Sequence, residues 1–187
     1  CSFTKIKFTK MKKLFLVVLL IVIASCTAQK KEQKPALKDE EGNLSGIAHK
    51  KDFLQEPYLT WFSANYDDYK IDATILKELT PLLKNTTVKV FMGTWCEDSQ
   101  LQTPVFYKIL DQANFDYTNF ELIAVDRDKI TPNNLQEGFS IEYVPTFIFY
   151  IDGKEIGRFV EYPRESVEAD VLKIVSGKKY IPAYQEE

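Results

Sequence analysis

Cys96 is the residue of this chain best placed to do chemistry. It stands in "FMGTWCEDSQLQTP", residues 91–104, where an apolar run ends at Gly93 and a polar helical stretch opens just behind the Trp95-Cys96 pair. A thiol at a helix start meets unpaired backbone N–H groups and the positive end of the helix dipole, and both favour the thiolate. The thiolate is the nucleophile of thiol–disulfide exchange. Glu97 and Asp98 act in the opposite sense: their charge suits the first turn of a helix but opposes a second anion beside it. Three positions after the cysteine, where redox proteins often carry a second thiol, the chain has Ser99. A hydroxyl can donate to a thiolate, but it is too poor a nucleophile at neutral pH to open a mixed disulfide. A two-cysteine cycle is therefore excluded within this domain. A one-cysteine cycle, released by an external thiol, is permitted.

The other two cysteines, Cys1 and Cys26, have different contexts. Residues 11–26 read "MKKLFLVVLLIVIASC": a basic start, an apolar run, small residues and then the Cys, which is the pattern of a secretory signal. The apolar stretch is too short to span a bilayer comfortably. Ile23-Ala24-Ser25-Cys26 resembles a bacterial lipobox, which implies that Cys26 is acylated and becomes the mature N-terminus, with acyl chains that hold the protein on a membrane. Met11 is then the natural initiator, and Cys1 belongs to upstream sequence. Residues 27–46 are polar, charged and without period, and read as a flexible spacer. The division predicted is thus 1–26 signal, 27–46 linker and 47–187 folded domain, in a cell-envelope protein facing the periplasm or the cell surface.

Stepping outward from Cys96, several segments must position it. The aromatic positions Tyr58, Trp61, Phe62 and Tyr66 approximate helical spacing, and such a stripe packs a core. Asp72 suits the N-cap of a helix running to Leu83, with Pro81 disturbing its last turn. "TVKVFMG" (87–93) and "FELIAVD" (120–126) read as buried strands, with a helix from Cys96 to about Gln112 between them and a short helix over Pro132–Glu137. "TFIFYI" and "KEIGRFV", separated by Asp152-Gly153, form a hairpin, and Glu165–Val175 is a closing amphipathic helix. Strands alternating with helices and ending in a hairpin make an α/β domain with a mixed central sheet.

Composition removes several function classes. The formal net charge is −3, so nothing electrostatic points to nucleic acid. The three cysteines have neither disulfide-framework nor zinc-ligand spacing. His49 stands alone in a polar stretch, and Asp126 and Asp128 lack a third clustered ligand. No metal site or other cofactor is expected.

The element order, Trp95-Cys96 at a strand-to-helix junction and Val144-Pro145-Thr146 before the hairpin together resemble the thioredoxin family over roughly residues 72–175. "MGTWCEDS" is more narrowly similar to membrane-tethered thioredoxin-like proteins of bacteria. The resemblance implies a thioredoxin fold with an N-terminal helical extension. It assigns Pro104 to the proline inside the active-site helix, and Pro145 to a cis-proline whose loop faces the reactive sulfur and pairs with extended substrate. Cys96 and Ser99 are then the catalytic positions, with Trp95, Val144 and Pro145 lining the substrate groove. Three positions depart from the family pattern. Ser99 replaces the resolving thiol, Val90 stands where a buried Asp often assists proton movement, and Glu161 stands where a small Gly often borders the groove.

Two functions follow from these residues. One is thiol–disulfide exchange through Cys96 alone, acting on client protein thiols or disulfides with an external thiol reductant. The other is a non-catalytic protein-binding module on a thioredoxin scaffold, in which Cys96 is a small packing residue.

Overall fold

In the computed structural model, residues 35–183 and 185 are described. The stretch expected to be a signal, Cys26 with its expected acylation and the first part of the expected spacer lie outside the described residues. The elements are β1 (Leu37–Lys38), β2 (Leu44–Ala48), α1 (Lys50–Phe53), α2 (Leu59–Asp68), α3 (Ala73–Leu83), β3 (Thr87–Met92), α4 (Glu97–Gln112), a 3₁₀ turn (Tyr117–Asn119), β4 (Phe120–Ala124), β5 (Thr146–Ile151), β6 (Lys154–Val160) and α5 (Val167–Val175).

The strands form one sheet in the order β1-β2-β4-β3-β5-β6. Only β3 and β4, the pair bridged by α4, run parallel; the other neighbours are antiparallel. Strand side chains alternate between faces, and the central strands use both. Val88, Val90, Met92, Leu122, Ala124, Phe147 and Phe149 join the cluster beneath the helices. Phe91, Ile123 and Ile148, the residues between them, join a second cluster on the other face with Ile47, Val125 and Val144. The register sets Val90 between Leu122 and Phe147, and Phe91 between Ile123 and Thr146. Both clusters are therefore continuous across the sheet.

The spacer boundary moves. Residues 37–38 and 44–46, read from the sequence as the end of a flexible linker, are sheet residues, with Gly46 paired to Ala124. Asp39 closes the turn between β1 and β2 by accepting from the Glu41 and Asn43 amides. The helix expected over 132–137 is a run of turns. Gln136 Oε1 accepts from both the Thr131 amide and its hydroxyl, and Thr131 Oγ1 accepts from the Leu135 amide. Side-chain bonds of that kind compete with a helical ladder. Asp72 caps α3 as expected, accepting from the Thr74 and Ile75 amides. That helix continues through Pro81 to Leu83, with the Thr80 hydroxyl bonded to the Leu76 carbonyl. Asp152 and Gly153, both at positive φ, make the hairpin turn.

The aromatic stripe of the N-terminal extension packs on α4. Phe53 stacks on Phe62 at 5.8 Å, and Phe62 lies 5.8 Å from Tyr107. At the edge of this cluster Asp111 accepts hydrogen bonds from Lys50, from Tyr66 at 2.6 Å and from Tyr117 at 2.7 Å. Burial works to raise the Asp111 carboxyl, but the three donors outweigh it and hold it below the usual carboxylate range. A group whose folded value is depressed stabilises the fold above its unfolded value of about 3.9, and that contribution is lost as pH falls through the folded value. Asp111→Asn is expected to cost about 1–2 kcal/mol at neutral pH. Urea unfolding should show this difference at pH 7 and show it shrinking below about pH 3.5.

Candidate active site

The site is assembled at the turn that joins β3 to α4. Cys96 is the N-cap residue of α4 in extended backbone. Its amide donates to the Gly93 carbonyl at 3.0 Å, and its carbonyl accepts from the Gln100 amide. The sulfur is half-buried at the edge of the second apolar cluster. It donates to the Val144 carbonyl at 3.2 Å. The Val144–Pro145 peptide bond is cis, so the loop expected to face the sulfur does face it.

Trp95 is fixed on three sides. Its indole N–H donates to the Val125 carbonyl at 2.9 Å, the Arg127 guanidinium lies 5.4 Å from its ring, and its ring covers Gly93. A Cβ at position 93 would fall 2.5 Å from the indole, so only glycine permits this approach. Ser99 is fully buried, and its oxygen accepts the Gly93 amide at 3.1 Å. The sequence reading aimed this hydroxyl at the thiolate; the bond found here stabilises the turn that carries the thiol. Val90 is fully buried in β3, so this strand position supplies no proton-moving group. Pro104 lies inside α4. Cys96, Ser99, Trp95, Val144 and Pro145 are thus gathered at one place, while Cys26 lies outside the described residues.

Several residues that hold the site were not singled out from sequence. Thr94 is buried, and its hydroxyl accepts the Leu44 amide at 3.0 Å, tying the turn to the start of β2. The Gln100 side chain donates to the Thr94 carbonyl at 2.7 Å, and Asn65 of α2 donates to the Gln100 carbonyl at 3.0 Å. These partners are 50 and 35 positions apart, and no local pattern marks them. Arg127, the residue over Trp95, has its other contact with Glu41 at 3.5 Å.

Glu161 borders the same groove. Its amide donates to the Pro145 carbonyl at 2.8 Å, and its φ is 63°, in the left-handed region that favours glycine. Burial raises its carboxyl above the ordinary value, the negative charge of Asp98 adds to the rise, and Lys129 partly offsets both. Asp126, weighed from sequence as a metal ligand, instead organises its loop by accepting from the Asp128 and Ile130 amides. Among the described residues no three His, Cys, Asp or Glu side chains converge as a metal site, and no helix is long and apolar enough to cross a membrane.

A sheet with one parallel pair, a cysteine at the start of the crossover helix and a cis-proline loop against its sulfur define a thioredoxin-like domain. The family model described as Thioredoxin matches residues 49–173, and the chain belongs to the thioredoxin family. It is 32% identical over 90 residues to thioredoxin-3 of Dictyostelium discoideum, covering 48% of this chain and 81% of that protein. Mouse (Mus musculus) thioredoxin is 28% identical over 83 residues, covering 44% and 73%. A solved Pseudomonas aeruginosa protein of unknown function superposes with a TM-score of 0.53 at 15% identity, over 68% of this chain and 91% of its own. That likeness concerns the fold alone.

Gly93→Ala is expected to displace the Trp95 ring and destabilise the domain by about 1–3 kcal/mol. Near-ultraviolet circular dichroism in a Trp61→Phe background, where Trp95 is the remaining tryptophan, should register the loss of its fixed setting together with the lowered unfolding midpoint.

Proposed function

We propose that this protein is a membrane-tethered, extracytoplasmic thioredoxin-like protein that exchanges thiols and disulfides through Cys96 alone. One observation carries the reading: the Cys96 sulfur sits at the start of α4, in hydrogen-bond contact with the carbonyl that precedes cis-Pro145. As a thiol, Cys96 occupies the Val144 carbonyl. Once ionised it has no proton to donate, and the carbonyl is free to accept a backbone N–H from an extended client segment.

The thiolate then attacks one sulfur of a client disulfide. The Cys96–S bond forms, the client S–S bond breaks, and the departing sulfur leaves as a thiolate that takes a proton from solvent. Ser99 cannot resolve this mixed disulfide. An external thiolate does so by attacking the client sulfur, taking over the bond to it and expelling Cys96 as a thiolate; a second equivalent of that thiol completes reduction of the client. The N-terminal signal ending at Cys26 supports attachment to a membrane of the cell envelope through acyl chains on that residue.

A second reading, a protein-binding module, is favoured by the packing of Cys96 against the apolar cluster with its thiol already engaged. Trapping of mixed disulfides in cells separates the two. Reductant-sensitive complexes should accumulate with the parent chain, vanish with Cys96→Ala, and be depleted several-fold by Ser99→Cys, which restores an internal resolving thiol at helical i, i+3 spacing. Partners retained unchanged by Cys96→Ala and indifferent to reductant would establish the binding module. Separately, Cys26→Ala should move the chain from the membrane fraction to the soluble one; retention on the membrane would refute the acyl tether.

A further inference from the structure

The groove beside Cys96 has a chemical bias that the exchange mechanism does not use. Glu161 follows β6 directly and is held to the cis-proline loop by its own backbone, through the amide bond to the Pro145 carbonyl. The preceding carbonyl of that loop, Val144, receives the Cys96 thiol. Glu161 is thus attached one residue away from the acceptor of the reacting sulfur. Among the described residues, six other than glycine have positive φ: Asn114, Lys129, Asn134, Ser140, Asp152 and Glu161. Three of them, Asn114, Asn134 and Asp152, are of the types that tolerate this conformation by local hydrogen bonding. Glu161 is not, and glycine would relieve the backbone at that position. A strained backbone retained around a particular side chain is a reason to ask what the side chain does.

The carboxylate of Glu161 is half-buried. Among the described residues no Lys or Arg lies within ion-pair distance of it. Asp98, in the first turn of α4, places a second negative charge near it, and Lys129 is the cation that faces the pair. Glu97 adds a third carboxylate, exposed, next to Cys96. Arg127 is engaged with Glu41 and the Trp95 ring, and Arg158 of β6 with Glu155 and the Phe139 carbonyl. Tyr162, which adjoins Glu161 in the chain, is 43% exposed. A ring so placed suits contact with a cationic side chain. A partly desolvated carboxylate in no ion pair, with an exposed tyrosine beside it in the chain, is a receptor for positive charge.

We propose that Glu161 sets the charge preference of the Cys96 groove, favouring client segments with Lys or Arg beside the reacting disulfide and disfavouring anionic disulfides. The proposal rests on the reading of Cys96 as a thiol-exchange residue. In each exchange the Cys96 thiolate forms a bond to one sulfur of the disulfide, the S–S bond breaks, and the other half leaves as a thiolate that is protonated by solvent.

The test uses the full-length chain with Cys1→Ser and Cys26→Ser, so that Cys96 is the single thiol. Its rates are measured at low ionic strength with three probes: cystamine (cationic), hydroxyethyl disulfide (neutral) and oxidised glutathione (anionic). Dividing each rate by the neutral one removes any effect on the nucleophile itself. Glu161→Gln is expected to lower the normalised cystamine rate and raise the normalised glutathione rate, so that their ratio falls by about fivefold or more. Glu161→Gly should do the same while raising the unfolding midpoint, which separates the charge from the strained backbone. Salt at about 0.5 M should bring the parent ratio toward that of the variants. A ratio unchanged in both variants overturns the proposal and leaves the exchange reading intact. No reaction with hydroxyethyl disulfide in the folded parent overturns both.

Discussion

The four residues from Gly93 to Cys96 carry the constraint on which the site depends: a chain leaving the sheet must turn sharply and present a sulfur at the first turn of a helix. Both ends of that turn are bonded through the backbone. The Gly93 amide goes to Ser99 and its carbonyl to the Cys96 amide, and the Thr94 carbonyl goes to Gln100. The indole of Trp95 closes over the one residue without a Cβ. Buried backbone groups have to be paired, and here the pairing simultaneously fixes where Cys96 stands. The serine that replaces a resolving thiol therefore has a structural use that any exchange chemistry at Cys96 would inherit.

What the sequence revealed and what it concealed divide by distance along the chain. The central strands, the Asp72 cap and the Asp152-Gly153 turn are written in short windows, because alternation, capping and positive φ are local properties. Cys96 and Pro145 were legible for a related reason: each stands at a junction between elements that can be read separately. β1 and β2 were not legible. "NLSGIA" has no strong strand signature of its own, and its strand character comes from pairing with β4, far along the chain. The turns over 132–137 were hidden because Thr131 and Gln136 compete for backbone groups that a helix would have used. The Asn65–Gln100–Thr94 chain of bonds likewise exists only once α2 has packed on α4.

The electrostatics of the site have a different arrangement from one with an acid beneath the sulfur. Val90 leaves no acid at this position in the core beneath the helices, and the carboxylates of Glu97, Asp98 and Glu161 are partly or fully exposed to solvent. A charge beneath the sulfur acts on the sulfur's own proton, whereas exposed charges act on whatever approaches. In any exchange at Cys96, proton transfer would fall to solvent and to the groups exchanged, which would give the character of the incoming molecule more influence.

The Asp111 hub also has a mechanical meaning. α4 is 16 residues long, about 24 Å at the rise of an α-helix, with Cys96 at one end and Asp111 close to the other. A client joined to Cys96 by a disulfide pulls on the first turn of that helix. The N-terminal extension reaches the other end of the same helix, where Lys50 bonds Asp111. Load on Cys96 would be shared by the helix axis, an ionic hub held by three donors and the aromatic packing of α2 on α4. The N-terminal extension, which lies mostly outside the stretch of thioredoxin likeness read from sequence, thus braces the helix at the end opposite Cys96.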